Sequence, residues 1–137
     1  MTAVATMIDT PHLTFTAGLP GFPDAHTFVL FHTDLAADPF SIMRCVEDEN
    51  LEFVVVPPTL FFPDYAPEID EATAARIGLE SADEALLLVT LTVGEELSQI
   101  TANLLGPIVI NRRNYSAAQA VLVNQNYDLR TPLFPNA

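Results

Sequence analysis

The sequence predicts an all-β fold: a small closed or partly open antiparallel β-barrel of about eight short strands with one short helix, built by residues 1–137 as a single domain. Three observations point there. Eleven prolines in 137 residues is about 8% against a usual ~5%, and they fall between short apolar runs rather than inside them. About eight runs are rich in β-branched and aromatic residues. A single stretch has helical spacing. Half of the residues are hydrophobic, enough to build a core at a length where one domain is the default.

The first strand is expected over His12 to Ala17, where Leu13, Phe15 and Ala17 alternate with Thr14 and Thr16. Gly18-Leu19-Pro20-Gly21-Phe22-Pro23 gathers turn formers, with Phe22 expected to tuck into the core. Strands follow at His26 to Phe31 and Phe40 to Val46. Leu51 to Val56 ends in Phe53-Val54-Val55-Val56, apolar on both faces and so expected centrally, until Pro57-Pro58 stops it. The proline-bounded loop Phe61 to Pro67 carries three aromatics; it reads equally as a lid over a barrel end and as a recognition loop.

The helix is expected over Pro67 to Leu79. Ile69, Ala72, Ala75 or Arg76, and Leu79 share a face, Glu68, Asp70 and Glu71 occupy the first turn, and Gly78 suits a C-terminal cap. Strands then resume at Leu86 to Val93, Gln99 to Leu105, Ile108 to Asn111 and Gln119 to Asn124. Between two of them Gly106-Pro107 interrupts the β pattern, as a corner that bends a barrel strand or as an edge freed for a partner segment. Thr131 to Ala137 reads as a frayed tail.

Eighteen Asp and Glu against five basic residues, all arginine, leave a formal net charge of −13. No basic stripe exists to neutralise phosphates, so direct nucleic-acid binding is not expected, and anionic membrane surfaces should repel the chain. A partly cationic protein partner fits instead. Ala85 to Val93 is far short of the ~18 apolar residues that span a bilayer, and Met1 to Thr10 lacks the apolar run of a secretory signal, so the expected location is cytoplasmic.

Motifs for chemistry are missing. His12, His26 and His32 have no metal-ligand spacing to one another or to a cysteine, so no metal is expected. Cys45 lies in an apolar run that favours a buried, inert thiol. The Glu47-Asp48-Glu49 and Glu95-Glu96 groups read as solvated turns, and no phosphate loop, dinucleotide fingerprint or nucleophile elbow is present. No cofactor is expected either.

Taken in order, Gly18-Leu19-Pro20-Gly21-Phe22, Pro39-Phe40, Phe53 to Pro57, Pro63-Asp64-Tyr65, Asn103-Leu104, Pro107-Ile108-Val109-Ile110-Asn111 and the ending Gln119 to Asn124 with Tyr127, Arg130, Pro132 and Leu133 resemble the flagellar assembly factor family FliW. The resemblance covers nearly the whole chain, with an extra aromatic pair at Phe61-Phe62 and no lysine as departures. It implies a barrel-like all-β fold and no catalysis. It also implies two protein partners: flagellin in the cytoplasm, and, once flagellin is exported, the RNA-binding translational regulator CsrA. Binding CsrA noncompetitively with RNA would relieve repression of flagellin synthesis. Such a switch requires the two partners to disfavour each other, through overlapping surfaces or through a conformational coupling of ~1–3 kcal/mol. The partner-binding residues expected are Pro63, Asp64, Tyr65, Asn103, Leu104, Pro107, Ile108 and Asn111. Two other classes compete with this reading. One is a small-molecule-binding β-barrel whose closed cavity is lined by Phe22, Phe62 and Tyr65; the other is a hydrolase using Cys45 or a histidine.

Overall fold

The structure, a computed structural model, describes residues 12–32, 40–123 and 125–135. Nine strands form one antiparallel sheet: β1 (His12–Thr14), β2 (Thr27–His32), β3 (Ser41–Cys45), β4 (Glu52–Val56), β5 (Ala85–Thr92), β6 (Thr101–Ala102), β7 (Ile108–Asn111), β8 (Ala117–Gln119) and β9 (Thr131–Pro132). The path runs β1-β2-β3-β4-β5-β6-β9, with β7 also paired to β5 and β8 paired to β7. β4 is central, as its two apolar faces require, and ends where Pro57 and Pro58 can no longer supply N–H groups.

β5 is the spine. Ala85 to Leu88 pair with β7, while Val89 to Leu91 pair with β4 and Leu91 and Thr92 with β6. β6 and β7 therefore run along one flank of β5 as an interrupted strand. Five residues, Asn103 to Pro107, lie opposite only two on β5, Val89 and Thr90. The interruption is the expected corner, and there the sheet divides, β6 continuing to β9 and β7 to β8.

The all-β class with one short helix holds, and the barrel takes its partly open form: among the described residues no ladder closes the sheet. Its two ends meet at one isolated parallel bridge, Thr14 to Ser116, where the Thr14 N–H donates to the Tyr115 carbonyl at 3.0 Å. Tyr115 adopts φ 60° there, a backbone region costly for a residue with a Cβ.

Two cores flank the sheet. Leu13, Phe15, Phe28, Met43, Val55, Ile108 and Ile110 form one, in which the Phe15 and Phe28 rings meet edge to face at 5.2 Å. Val56, Tyr65, Ile77, Val89, Val109 and Leu122 belong to the other. Strand alternation explains the division: Val55 faces one core and Val56 the other, and Ile108 and Ile110 separate from Val109 in the same way.

The helix α1 spans Glu71–Ile77, shorter than the Pro67 to Leu79 expected, because Asp70 caps it. The Asp70 carboxylate accepts from the Thr73 N–H at 3.1 Å and hydroxyl at 2.6 Å. Gly78 closes it, with the Leu79 N–H donating to the Ala74 carbonyl as in a Schellman end.

Four other expectations change. Phe22 is 44% exposed and Leu19 is buried instead, because Leu19 and Phe22 bridge a two-residue turn over Pro20-Gly21, with Gly21 at φ 85°. β8 lies at Ala117–Gln119 rather than Gln119 to Asn124; Ala120 and Leu122 instead donate to the corner carbonyls of Pro107 and Leu105, and Asn124 lies outside the described residues. The Gln99 to Leu105 run keeps only Thr101–Ala102 as strand. The expected frayed tail holds β9, with Leu133 buried and the Phe134 ring 5.7 Å from Phe61. Pro39 and the side chain of His32 also fall outside the described residues.

Candidate functional site

The two segments expected to bind partners meet in space. Tyr65 is only 6% exposed, and its hydroxyl donates to the Leu104 carbonyl at 2.7 Å. Its ring packs edge to face on Tyr127 at 4.8 Å. Burial pushes the phenol well above its usual pKa, with the Tyr127 phenol acting in the same direction, so it stays a neutral donor. The loop before it turns inward too, since Phe61 stacks on Phe40 at 6.3 Å. Of the two readings of that loop, the lid describes its aromatics.

The corner keeps its own polar groups satisfied. The Asn103 N–H reaches the Thr90 carbonyl at 2.9 Å, and its side-chain oxygen accepts from the N–H groups of Leu105 and Gly106 at 3.1 and 2.9 Å. Leu104 donates to the Asp128 carbonyl at 3.0 Å. The Gly106 carbonyl accepts from the Gln119 amide at 2.8 Å, and a Cβ at Gly106 would lie 2.9 Å from that nitrogen, so the amide would have to move aside. With the Leu105 and Pro107 carbonyls bonded to Leu122 and Ala120, the backbone groups named here are used internally, so the corner does not expose the edge that was its alternative reading.

Asn111 has 0% exposure yet is paired on both sides of its amide. Its nitrogen donates to the Ile77 carbonyl at 2.9 Å, an orphan of the helix end, and its oxygen accepts from the Arg113 N–H at 2.9 Å. Arg113 adds a bond to the Gly78 carbonyl at 2.8 Å and an ion pair to Glu84 at 2.9 Å. The β7–β8 turn thus grips the helix C-terminus.

Of the eight expected residues, Tyr65, Leu104, Pro107, Ile108 and Asn111 are buried, Asn103 is half-buried, and Pro63 and Asp64 are exposed. What is accessible at the junction is a rim. Val121 and Val123, 56% and 69% exposed, point outward where alternation sends Ala120 and Leu122 in; Leu129, beside Asp128, is also exposed. Sequence reading placed the two valines in a strand without separating its faces, although the alternation was there to be read.

Elsewhere, Cys45 is buried, and its thiol pKa is raised chiefly by burial and by donation to Glu47 at 3.3 Å. The Glu47 carboxylate, accepting also from the Thr27 N–H at 3.0 Å, is lowered to about 2. His26 places Nδ1 2.9 Å from the Phe15 carbonyl. Among the described residues, no three His, Cys, Asp or Glu side chains gather as metal ligands, and no helix is long and apolar enough to cross a membrane. Phe22 packs near Phe53, at 6.3 Å, and Phe62 and Tyr65 join the second core, so the three aromatics of the small-molecule reading do not share a cavity wall.

The fold and this junction define a small all-β protein with an open, nine-stranded antiparallel sheet and one capping helix. Residues 3–133 match the model of the FliW protein family. The flagellar assembly factor FliW of Bacillus subtilis is 38% identical over 120 residues, 87% of this chain and 82% of that protein. That of Symbiobacterium thermophilum is 38% identical over 123 residues, 90% of this chain and 89% of its own. A crystal structure of the flagellar assembly factor FliW superposes with a TM-score of 0.85 at 34% identity, covering 91% of this chain and 86% of that one. The chain belongs to the FliW family of flagellar assembly factors.

Proposed function

We propose that this chain works by binding proteins rather than by catalysis. It holds flagellin in the cytoplasm and, when flagellin is exported, binds a CsrA-type regulator at a place apart from that regulator's RNA surface, relieving repression of flagellin synthesis. The observation that carries this reading is family membership across residues 3–133. A net charge of −13 supports it, because complementary charge speeds encounter with a basic RNA-binding protein. In this reading Tyr65, Leu104, Pro107, Ile108 and Asn111 hold the junction rigid from within. Pro63, Asp64 and Asn103 present its surface.

Calorimetry of the intact protein against its host's flagellin and, separately, against the host's CsrA-type regulator tests the reading. Binding to both, with flagellin displacing the regulator and RNA leaving regulator affinity unchanged, is the expected result. Binding to flagellin alone removes the translational arm, and binding to neither overturns the proposal.

A further inference from the structure

Among the described residues, no strand covers the outer edge of one stretch of β5. The Glu84 carbonyl accepts from the Arg112 N–H at 2.8 Å and the Thr90 carbonyl from the Asn103 N–H at 2.9 Å, so even-numbered residues aim their backbone groups at the β7 and β6 flank. Odd-numbered residues face the other way. There β4 pairs with Val89 and Leu91 and stops at Pro57-Pro58. The Ala85 N–H is taken by the Ala82 carbonyl. The Ala85 carbonyl and both backbone groups of Leu87 have no hydrogen-bond partner among the described residues.

An open groove of about 600 Å³ lies beside this edge. Ile69, Leu79 and Leu87 give it an apolar wall, and Glu68 and Glu80, both exposed, stand on its lining. Arg113 approaches Glu80 only at 3.8 Å, and no ion pair among the described residues engages Glu68.

We propose that this edge accepts an extended segment of a partner protein as an added strand, its alternate residues apolar and its flanks carrying lysine or arginine. The inference deepens the reading above and rests on it only in taking the occupant to be protein. Extension follows from the backbone: a helix satisfies its own N–H and C=O groups and would leave those of Leu87 unpaired, whereas a strand supplies a donor and an acceptor at this spacing. Apolar residues at every second position follow from period two, which sets them against the Ile69, Leu79 and Leu87 wall. The cationic flank follows from Glu68, Glu80 and the −13 field around them.

The test uses the intact protein and a short fluorescein-labelled peptide that alternates valine and threonine between terminal arginines, followed by anisotropy and by amide hydrogen exchange. Saturable binding is expected, with the Leu87 amide newly protected. Reversing the rim with Glu68→Lys and Glu80→Lys should weaken it about tenfold. Leu87→Pro, which removes the outward donor while leaving the β7 ladder its bonds, should abolish it. If that variant does not fold, the rim variant and the Leu87 exchange decide. No binding, binding without Leu87 protection, or binding indifferent to the rim overturns the proposal. So does Leu87 protection that rises with protein concentration in the absence of peptide, which would assign the edge to a second copy of this chain. Flagellin binding without peptide binding sinks the edge and spares the reading above; peptide binding without flagellin binding does the reverse.

Discussion

Tyr65 shows how much one hydroxyl can organise. It joins the loop after β4 to the corner between β6 and β7 across 39 positions of sequence, and no other bond to the Leu104 carbonyl is present among the described residues. Tyr65→Phe keeps the ring against Tyr127 but leaves that buried carbonyl without its donor. A loss of about 1–3 kcal/mol is expected, read as a lower urea midpoint with unchanged slope. Tyr65→Ala should cost more, about 3–5 kcal/mol, by opening a cavity in the second core. Sequence alone places Tyr65 among the partner-binding residues; its burial makes this substitution a test of the fold first. The reason is legible only in three dimensions: an aromatic on a proline-bounded loop reads alike whether it faces solvent or core. Asn111 taught the same lesson, since nothing local to it announces a bond to the end of a helix 34 residues earlier.

At the scale of elements, α1 stands on its cap. Asp70→Ala removes the acceptor of the Thr73 N–H and hydroxyl, and a loss of about 1 kcal/mol is expected at neutral pH. Donation from the Thr73 hydroxyl, and then from its N–H, holds the Asp70 carboxyl below its ordinary range despite some desolvation. A lowered folded pKa means that the cap contributes fully above the ordinary Asp range and is lost as pH falls through the lowered value. Chemical unfolding of both proteins at neutral and strongly acid pH should therefore show the gap between them closing in acid.

Elements were legible where composition and context agreed. Leu51 to Val56, Leu86 to Val93 and Ile108 to Asn111 are β-branched or leucine-rich runs that the structure returns as β4, β5 and β7. β8 escaped because Ala117 and Ala118 carry little β preference and are strand only through their pairing with Val109 and Ile110. β9, two residues long and held by β6, has no local signature at all. The corner was read correctly because Gly-Pro within a β run has few other uses.

Across the whole molecule the −13 charge is the dominant long-range term. Association with a basic partner should slow as salt rises, by roughly tenfold or more between low and high ionic strength, while dissociation changes less. Stopped-flow association rates over a salt series check this, and a rate indifferent to salt would remove charge from the recognition. Among the described residues, the same sheet that carries this surface is joined end to end only at Thr14 and Ser116, next to a tyrosine in left-handed backbone. An open sheet with one such link does not breathe evenly. Its cheapest opening peels β1 from the β7–β8 turn while the ladders around β5 stay shut, so the Thr14 amide belongs to a local, low-energy opening and the β4–β5 amides to the global one. The protein thereby has a built-in order of loosening, beginning at the seam and ending at the spine.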